Sequence, residues 1–265
     1  MSVRRPAIIG LGLTPMSLQP GGSAAELAVR ALNAALDDAG LAHSELDGLL
    51  VGSSQGVRPD RVGVTLAAQA GLGDLRLLEH VEIKGATTVA MVRRAQLAIH
   101  TGEAGTVACV FADAPLRAAG GAGSTYAHSG GNSGVRGLER ASGVLGSVPT
   151  YALLAARWLS VTGGSPDDLG AVALAARAWA QGNPDAVQRT PLDTETYRAS
   201  PMVSTPLRRL DCARPVNGAA AIVLSADAPA ARHKPVRVTG SGREHPVRRR
   251  RAGKESWFGG GRGAV

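Results

Sequence analysis

The side chains best suited to nucleophilic or metal chemistry in this 265-residue chain are two cysteines, Cys109 and Cys212, and six histidines. The cysteines lie far apart, with no C-x-x-C pair and no neighbouring histidine, so the spacing supplies no zinc site. His43, His80, His100, His128, His233 and His245 are scattered, and none stands at a spacing from an acid or nucleophile that a fold would evidently unite. His128, within Ser124-Thr125-Tyr126-Ala127-His128-Ser129 of a Gly-rich tract, reads either as a ligand contact or as a solvated loop residue. Gly120-Gly121 and Gly130-Gly131 suggest a phosphate cradle, but there is no G-x-x-x-x-G-K-[ST] and no G-x-G-x-x-G after a strand, which excludes a nucleotide fold. Arg248-Arg249-Arg250-Arg251 with Lys254 offers planar forks for phosphates, an acidic partner or nucleic acid. The surrounding glycines and proline also suit a solvated linker.

The elements that must position such groups are built from small residues. The chain is 44% hydrophobic but only 3% aromatic, with 35 glycines, so its core has to consist of Ala, Val and Leu packed at short distances. Charge is uneven: residues 231–265 hold 10 basic and 2 acidic side chains, which is the whole formal excess of +8, and the body is neutral. A basic tail on a neutral body argues against a nucleic-acid-binding face. No stretch approaches the roughly 18 uncharged apolar residues of a membrane span. The unpaired cysteines fit a reducing compartment, so a soluble cytoplasmic protein is expected. Arg4-Arg5 before an apolar run imitates a short signal peptide, but the run ends at Thr14-Pro15 without a cleavage site and reads as a first strand.

Ala7-Ile8-Ile9-Gly10-Leu11 predicts a buried strand. Ser23 and Glu26 form a capping box for a helix that repeats apolar residues at Leu27, Ala31, Ala35 and Ala39 and ends at Gly40. A second strand is expected at Leu49-Leu50-Val51, a second helix around Val62, Leu66, Ala67 and Ala70, and extended chain over 77–83. A helix over 85–101 closes at Gly102 before a strand over 107–111. Alternating strands and helices imply a mainly parallel sheet covered on both faces. Residues 114–146 read as a Gly/Ser/Ala-rich loop excursion. Helices resume over 150–161 and after Ser165-Pro166-Asp167-Asp168, and apolar strands follow over 219–224 and 236–239.

Several segments, in order, resemble the thiolase superfamily, and within it the sterol-carrier and lipid-transfer-associated branch. They are the start through Thr14-Pro15, Glu82-Ile83-Lys84-Gly85-Ala86-Thr87-Thr88, Thr101-Gly102-Glu103, Tyr151-Ala152-Leu153-Leu154-Ala155-Ala156-Arg157, and Pro206-Leu207-Arg208-Arg209-Leu210-Asp211-Cys212 leading into Val216-Asn217-Gly218-Ala219-Ala220-Ala221. The resemblance implies an α/β thiolase-like layered fold with a mainly parallel sheet and a buried helix, of which this chain carries the N-terminal half. Residues 1–230 would form that domain, and 231–265 a basic strand and linker stub of a second half.

The family's nucleophile is a cysteine whose thiolate is held by a helix N-terminus, where it takes an acyl group from coenzyme A. Gly85 stands at that position, and glycine has no nucleophile; Cys109 and Cys212 read as small buried residues instead. The resemblance therefore implies retro-aldol cleavage of acyl-CoA, which needs a base and enolate stabilisation but no acyl-enzyme, ahead of thiolase-like acyl transfer. The rival is a non-catalytic acyl-CoA-binding or assembly subunit. No residue is assigned proton transfer. Gly85, Ala86, Thr87 and Thr88 are the expected thioester end of the pocket, the tract containing His128 its lid, and Asn217-Gly218 a close-packed turn beneath it; Gly85 also fits close helix packing alone. No metal and no covalently bound cofactor are expected, coenzyme A entering only as part of the substrate. The expected partners are a homodimer through the strand around Leu78 and a zinc-ribbon and oligonucleotide-fold protein or a second-half chain, with nucleic acid disfavoured.

Overall fold

Strand β4 (Thr106–Asp113) sends Ala108, Val110 and Ala112 to one face and Val107 and Cys109 to the other, and both sets are buried. Apolar side chains on both faces require cover on both faces, and that requirement sets the layers. In the computed structural model, which describes residues 6–52, 62–116, 134–144, 146–226 and 233–241, β4 belongs to a six-stranded sheet. The others are β1 (Ala7–Leu13), β2 (Gly48–Gly52), β3 (Leu77–Val81), β7 (Gly218–Ser225) and β8 (Val236–Arg237), in the order β3-β2-β4-β7-β1-β8. Strands β1 to β4 run in one direction, the mainly parallel sheet that the alternation implied. β7 runs against them between β1 and β4, and β8 pairs antiparallel with β1.

Helices α1 (Ala24–Ala39) and α2 (Val62–Gln69) cover one face. The α1 capping box is formed: Glu26 N–H donates to Ser23 Oγ at 3.1 Å and Ser23 N–H to Glu26 Oε2 at 2.9 Å, and Gly40 closes the helix in the left-handed region at φ 70°. Helix α1 lies against β1 so closely that a Cβ on Gly12 would sit 2.0 Å from the Ala31 carbonyl oxygen, and one on Gly10 2.2 Å from that of Ala35. The small residues expected from composition thus act at this contact, where two backbones meet.

Helix α3 (Thr87–Thr101) covers the other face, burying Thr87, Met91, Ala95, Ala98 and Ile99 against Leu50, Leu77, Val107 and Cys109. It starts at Thr87 rather than at 85, because Lys84–Ala86 form a separate 3-10 turn. Its outer face, with Val89 and Leu97, is exposed, as are Leu11 and Leu13 on β1, so the expected buried helix is covered on one side. Arg94 of α3 grips Glu79 of β3 and Glu103 beyond the helix end, and the paired guanidinium is held well above its ordinary range by Glu103 and Glu79. At the amino ends of the parallel strands, the Asp47 carboxylate accepts from the N–H groups of Gly105 and Thr106, while its carbonyl accepts from the N–H groups of Arg76 and Leu77. One residue therefore ties together the starts of β2, β3 and β4.

A second group comprises α4 (Gly134–Ala141), α5 (Ser147–Thr162), α6 (Pro166–Gln181), α7 (Thr194–Ala199) and the hairpin β5–β6 (Met202–Ser204 and Leu207–Arg208). α4 falls inside the tract read from sequence as loop, a correction: at eight residues, its apolar positions are too few for a clear period. α7 and the hairpin were not anticipated, being too short to show a period. Tyr197 of α7 is buried against Gly170 of α6, and its hydroxyl donates to Asp211 at 3.0 Å; burial, then that carboxylate, pushes the phenol up to about 12. Among the described residues no helix is long and apolar enough to cross a membrane.

Gly12→Ala is expected to lower stability by roughly 2–3 kcal/mol by forcing α1 off β1, read as a lower urea midpoint with an unchanged slope.

Candidate functional site

The carboxyl ends of the parallel strands are where open α/β sheets place ligands, and Gly85 to Thr88, Asn217 and Gly218 lie at that end. Gly85, Ala86 and Thr88 are exposed in the turn and first helical residues after β3, while Thr87 is buried and its Oγ1 accepts from Ile83 N–H at 2.8 Å. A Cβ on Gly85 would meet nothing within 4 Å, so close packing does not account for glycine there. One strand inward, a Cβ on Gly52 would come within 3.0 Å of both Thr87 Cγ2 and Phe111 Cδ2. The turn is thereby continuous, through Gly52, with the ends of β4 and β7.

A cleft of about 290 Å³ opens at those ends, lined by Met16, Phe111, Asp113, Ala213, Arg214, Pro215, Val216, Gly218, Ala219 and Ala220. Gly218 is thus in the lining. Asn217 is not, but it is buried beneath and joins three segments: its Oδ1 accepts from Leu116 N–H at 3.0 Å, and its Nδ2 donates to the carbonyls of Gln19 and Gly21 at 3.4 and 3.1 Å. A Cβ on Gly218 would lie 2.3 Å from Met16 Sδ, so the Met16 side chain would have to move. Gly85 to Thr88 do not line this cleft. His128 and the Arg248 to Arg251 run lie outside the described residues.

Phe111, Asp113 and Arg214 were missed in the sequence. Asp113 had a signal, since it is the first charge after six apolar residues and continues the alternation that buries Val107 and Cys109.

Neither cysteine is set up as a nucleophile. Burial pushes the Cys109 thiol up to about 12, and burial with the neighbouring Asp211 raises that of Cys212, whose Sγ lies 3.5 Å from the Arg208 carbonyl. A reactive cysteine needs the opposite shift. Among the described residues, no cluster of three or more His, Cys, Asp and Glu could hold a metal ion.

The comparisons with known proteins agree with this geometry. No family model matches the chain. It is 30% identical over 226 residues to a 17-hydroxy-3-oxo-4-pregnene-20-carboxyl-CoA lyase of Mycobacterium tuberculosis, covering 84% of this chain and 58% of the lyase. It is 29% identical over 222 residues to a steroid side-chain-cleaving aldolase of Thermomonospora curvata, covering 82% and 56%. Among solved structures, an Ltp2-ChsH2(DUF35) aldolase superposes with a TM-score of 0.72 at 28% identity, over 85% of this chain and 56% of that one. A monomeric SCP2-thiolase-like protein of Mycobacterium smegmatis superposes at 0.61 and 22% identity, over 85% and 46%, a likeness of fold. The chain has the thiolase-like fold of these structures. It spans a little over half the length of the lyase and aldolase it resembles.

Asn217→Ala would strand the Leu116 N–H and two carbonyls, and is expected to cost about 2–3 kcal/mol in chemical denaturation. Cys109 is expected to resist iodoacetamide at pH 8 in native protein and to react once unfolded, as read by mass spectrometry. Its folded value lies above the unfolded one, so the stability it contributes is complete below pH 9 and is lost as pH rises toward 12.

Proposed function

We propose that this chain takes part in carbon–carbon bond cleavage of hydroxyacyl-CoA thioesters by a retro-aldol reaction, forming the part of the site that shapes the substrate. The observation that carries the reading is the likeness, over more than four-fifths of the chain, to a CoA-ester lyase and a side-chain-cleaving aldolase. These relatives favour lyase chemistry over a purely non-catalytic binding role.

The residues present suit the enolate-stabilising part of the reaction; the base is not assigned to any of them. In a retro-aldol step the hydroxyl proton leaves to a base, the carbon–carbon bond breaks, and its electron pair passes to the carbon next to the thioester as an enolate that is then protonated. No acyl-enzyme forms, so a glycine at 85 and two raised thiols are compatible with the chemistry. What the protein must supply is hydrogen-bond donors at the thioester oxygen. The N–H groups of Gly85, Thr87 and Thr88 take that role, in the open space beside Gly85, while Ala86 N–H donates to the Ile83 carbonyl and holds the turn. Asn217 with Gly218 supports the floor. Coenzyme A takes part as the carrier half of the substrate.

The assembly is a homodimer through β3, a sheet edge with Leu78 exposed, joined by a zinc-ribbon and oligonucleotide-fold partner or a chain supplying the rest of the relatives' length. The two-component name of the Ltp2-ChsH2(DUF35) aldolase supports assembly with a partner protein. Two free cysteines support a cytoplasmic setting. Residues 1–230 form the working domain and 231–265 a basic linker, whose β8 strand is joined to the core by β1 and by Gln96 Nε2 donating to the Val238 carbonyl.

The test combines binding and turnover. The purified chain, alone and with candidate partners, should bind 3-hydroxyacyl-CoA and release a ketone or aldehyde with a shortened acyl-CoA. Gly85→Met should leave the melting temperature within about 1 °C yet weaken CoA-thioester binding at least tenfold; unchanged binding would remove the thioester role from this turn.

A further inference from the structure

On one face of the sheet, α1 packs on β1, β7 and β4 and α2 on β2 and β3, so two helices span it from β1 to β3. On the other face α3 packs mainly on β4, β2 and β3 and does no more than touch β7. A helix is about 10 Å across and strands lie about 4.8 Å apart, so one helix covers two or three strands. A strip of helix width is left over β7 and β1. Its amino end is crossed by β8 and by Val238, whose carbonyl accepts from Gln96 of α3. Its carboxyl end is bare. Gly10 and Gly12 face α1, which turns Leu11 and Leu13 to the strip, where they are 53% and 55% exposed; Ala220 and Ile222 of β7 are half-buried beside them. Next to the strip, the first turns of α3 expose Val89, at 61%. A contiguous apolar surface of this kind marks an interaction site.

We propose that a second copy of this chain covers the strip, each copy laying its α3 over β7 and β1 of the other. The face is self-complementary, since it carries a helix and a helix-wide gap side by side. A twofold axis lying in the interface and parallel to the strands turns two such faces toward each other and exchanges left with right. Each helix then meets the other copy's gap, an isologous contact that closes at two copies. Val89 of one copy packs on Leu11 and Leu13 of the other. These residues, with Val92, Ala220 and Ile222, are uncharged, as the centre of an interface is, and Arg93 has a stem long enough to carry its guanidinium to the rim. From standard dimensions the helix flank and the strip are each about 10 Å wide and about 20 Å long. Together they approach the roughly 800 Å² per partner of a stable interface.

The pairing also completes the site. α3 starts at the carboxyl ends of the strands, and the axis preserves that sense, so the other copy's α3 begins above the cleft, whose wall includes Phe111 and Ala220 of this same face. The other copy's turn at Gly85 to Thr88 thereby reaches an opening that a chain's own turn does not line. On the acyl-CoA reading, on which this consequence alone rests, the donors at the thioester and the floor beneath it come from different copies.

The experiment is sedimentation velocity of the full chain across the micromolar range, carried out in a Leu78→Glu background so that pairing at the β3 edge does not contribute. The chain should self-associate, and Leu13→Glu or Val89→Glu should weaken that association at least about tenfold, with far-UV circular dichroism showing that each variant is folded. A second readout needs neither glutamate variant: chains carrying Leu13→Cys mixed with chains carrying Val89→Cys should, on oxidation, yield a cross-linked 13–89 peptide by mass spectrometry. A chain that stays monomeric, self-association unchanged by both glutamates, or no 13–89 cross-link would overturn the pairing and leave the acyl-CoA reading standing, because no ligand is used. Capture of a different protein by a monomeric chain, abolished by Val89→Glu, would overturn it too and assign the face to that protein. An intact dimer that binds no acyl-CoA would overturn only the shared site.

Discussion

Strand β7 makes one ladder with β1 and another with β4, and the cleft exists because of that insertion. Without it, the turn after β1 and the end of β4 would be two separate sheet ends. With it, Met16, Phe111, Asp113 and Gly218 meet around one opening, although Thr14 and Ala219, which exchange hydrogen bonds there, are 205 residues apart. Closing so long a loop costs little more than closing one half its length, so the topology is affordable if the ladder is firm. Asn217 makes it firm at the critical end: it is buried, and its side chain bonds both the loop after β1, at Gln19 and Gly21, and the exit of β4, at Leu116.

The same end of the molecule shows why the core is built from small residues. A helix that sits on β1 closely enough to bring the Ala31 carbonyl to 2.0 Å from a Cβ position at Gly12 leaves no thickness for larger side chains. Ala28, Ala31, Ala35 and Ala39 line that contact, and leucines at 27, 32 and 36 fill its flanks. Close backbone approach replaces aromatic volume, and packing remains dense because dispersion contacts are made by backbone atoms as well as side chains. The scarcity of rings in the composition is a consequence of this spacing.

Legibility from sequence followed element length and local chemistry. The α1 capping box, Gly40, the Ser165-Pro166 start of α6 and the order of strands and helices all announce themselves through residue types that act within a few positions of each other. The place of β7 does not, because an apolar run such as Ala219-Ala220-Ala221 carries no mark of which strands it will join or in which direction. The three-residue strand β5 and the six-residue helix α7 are too short for periodicity, and α4 was hidden by the glycines around it. Of the site, Gly85 and Asn217-Gly218 stood out through the resemblance to a family. Phe111 and Arg214 became visible only when register and topology brought them to one wall.

The electrostatics of the site then bear on what a glycine at 85 means. A cysteine at a helix start is a nucleophile only while the local field favours its thiolate, and the field acts on whatever occupies that space. With the side chain gone, the N–H groups of the turn and the space beside Gly85 remain, and a thioester oxygen that gains negative charge as a carbon–carbon bond breaks is a suitable occupant. Both remaining thiols are neutral at physiological pH, for reasons of burial that no nearby cation offsets. A scaffold arranged in this way has lost the means to hold an acyl group covalently while keeping the means to stabilise an enolate. In the proposed reaction, specificity therefore has to come from the walls of the cleft, where Asp113 and Arg214 are the charged residues among the described lining.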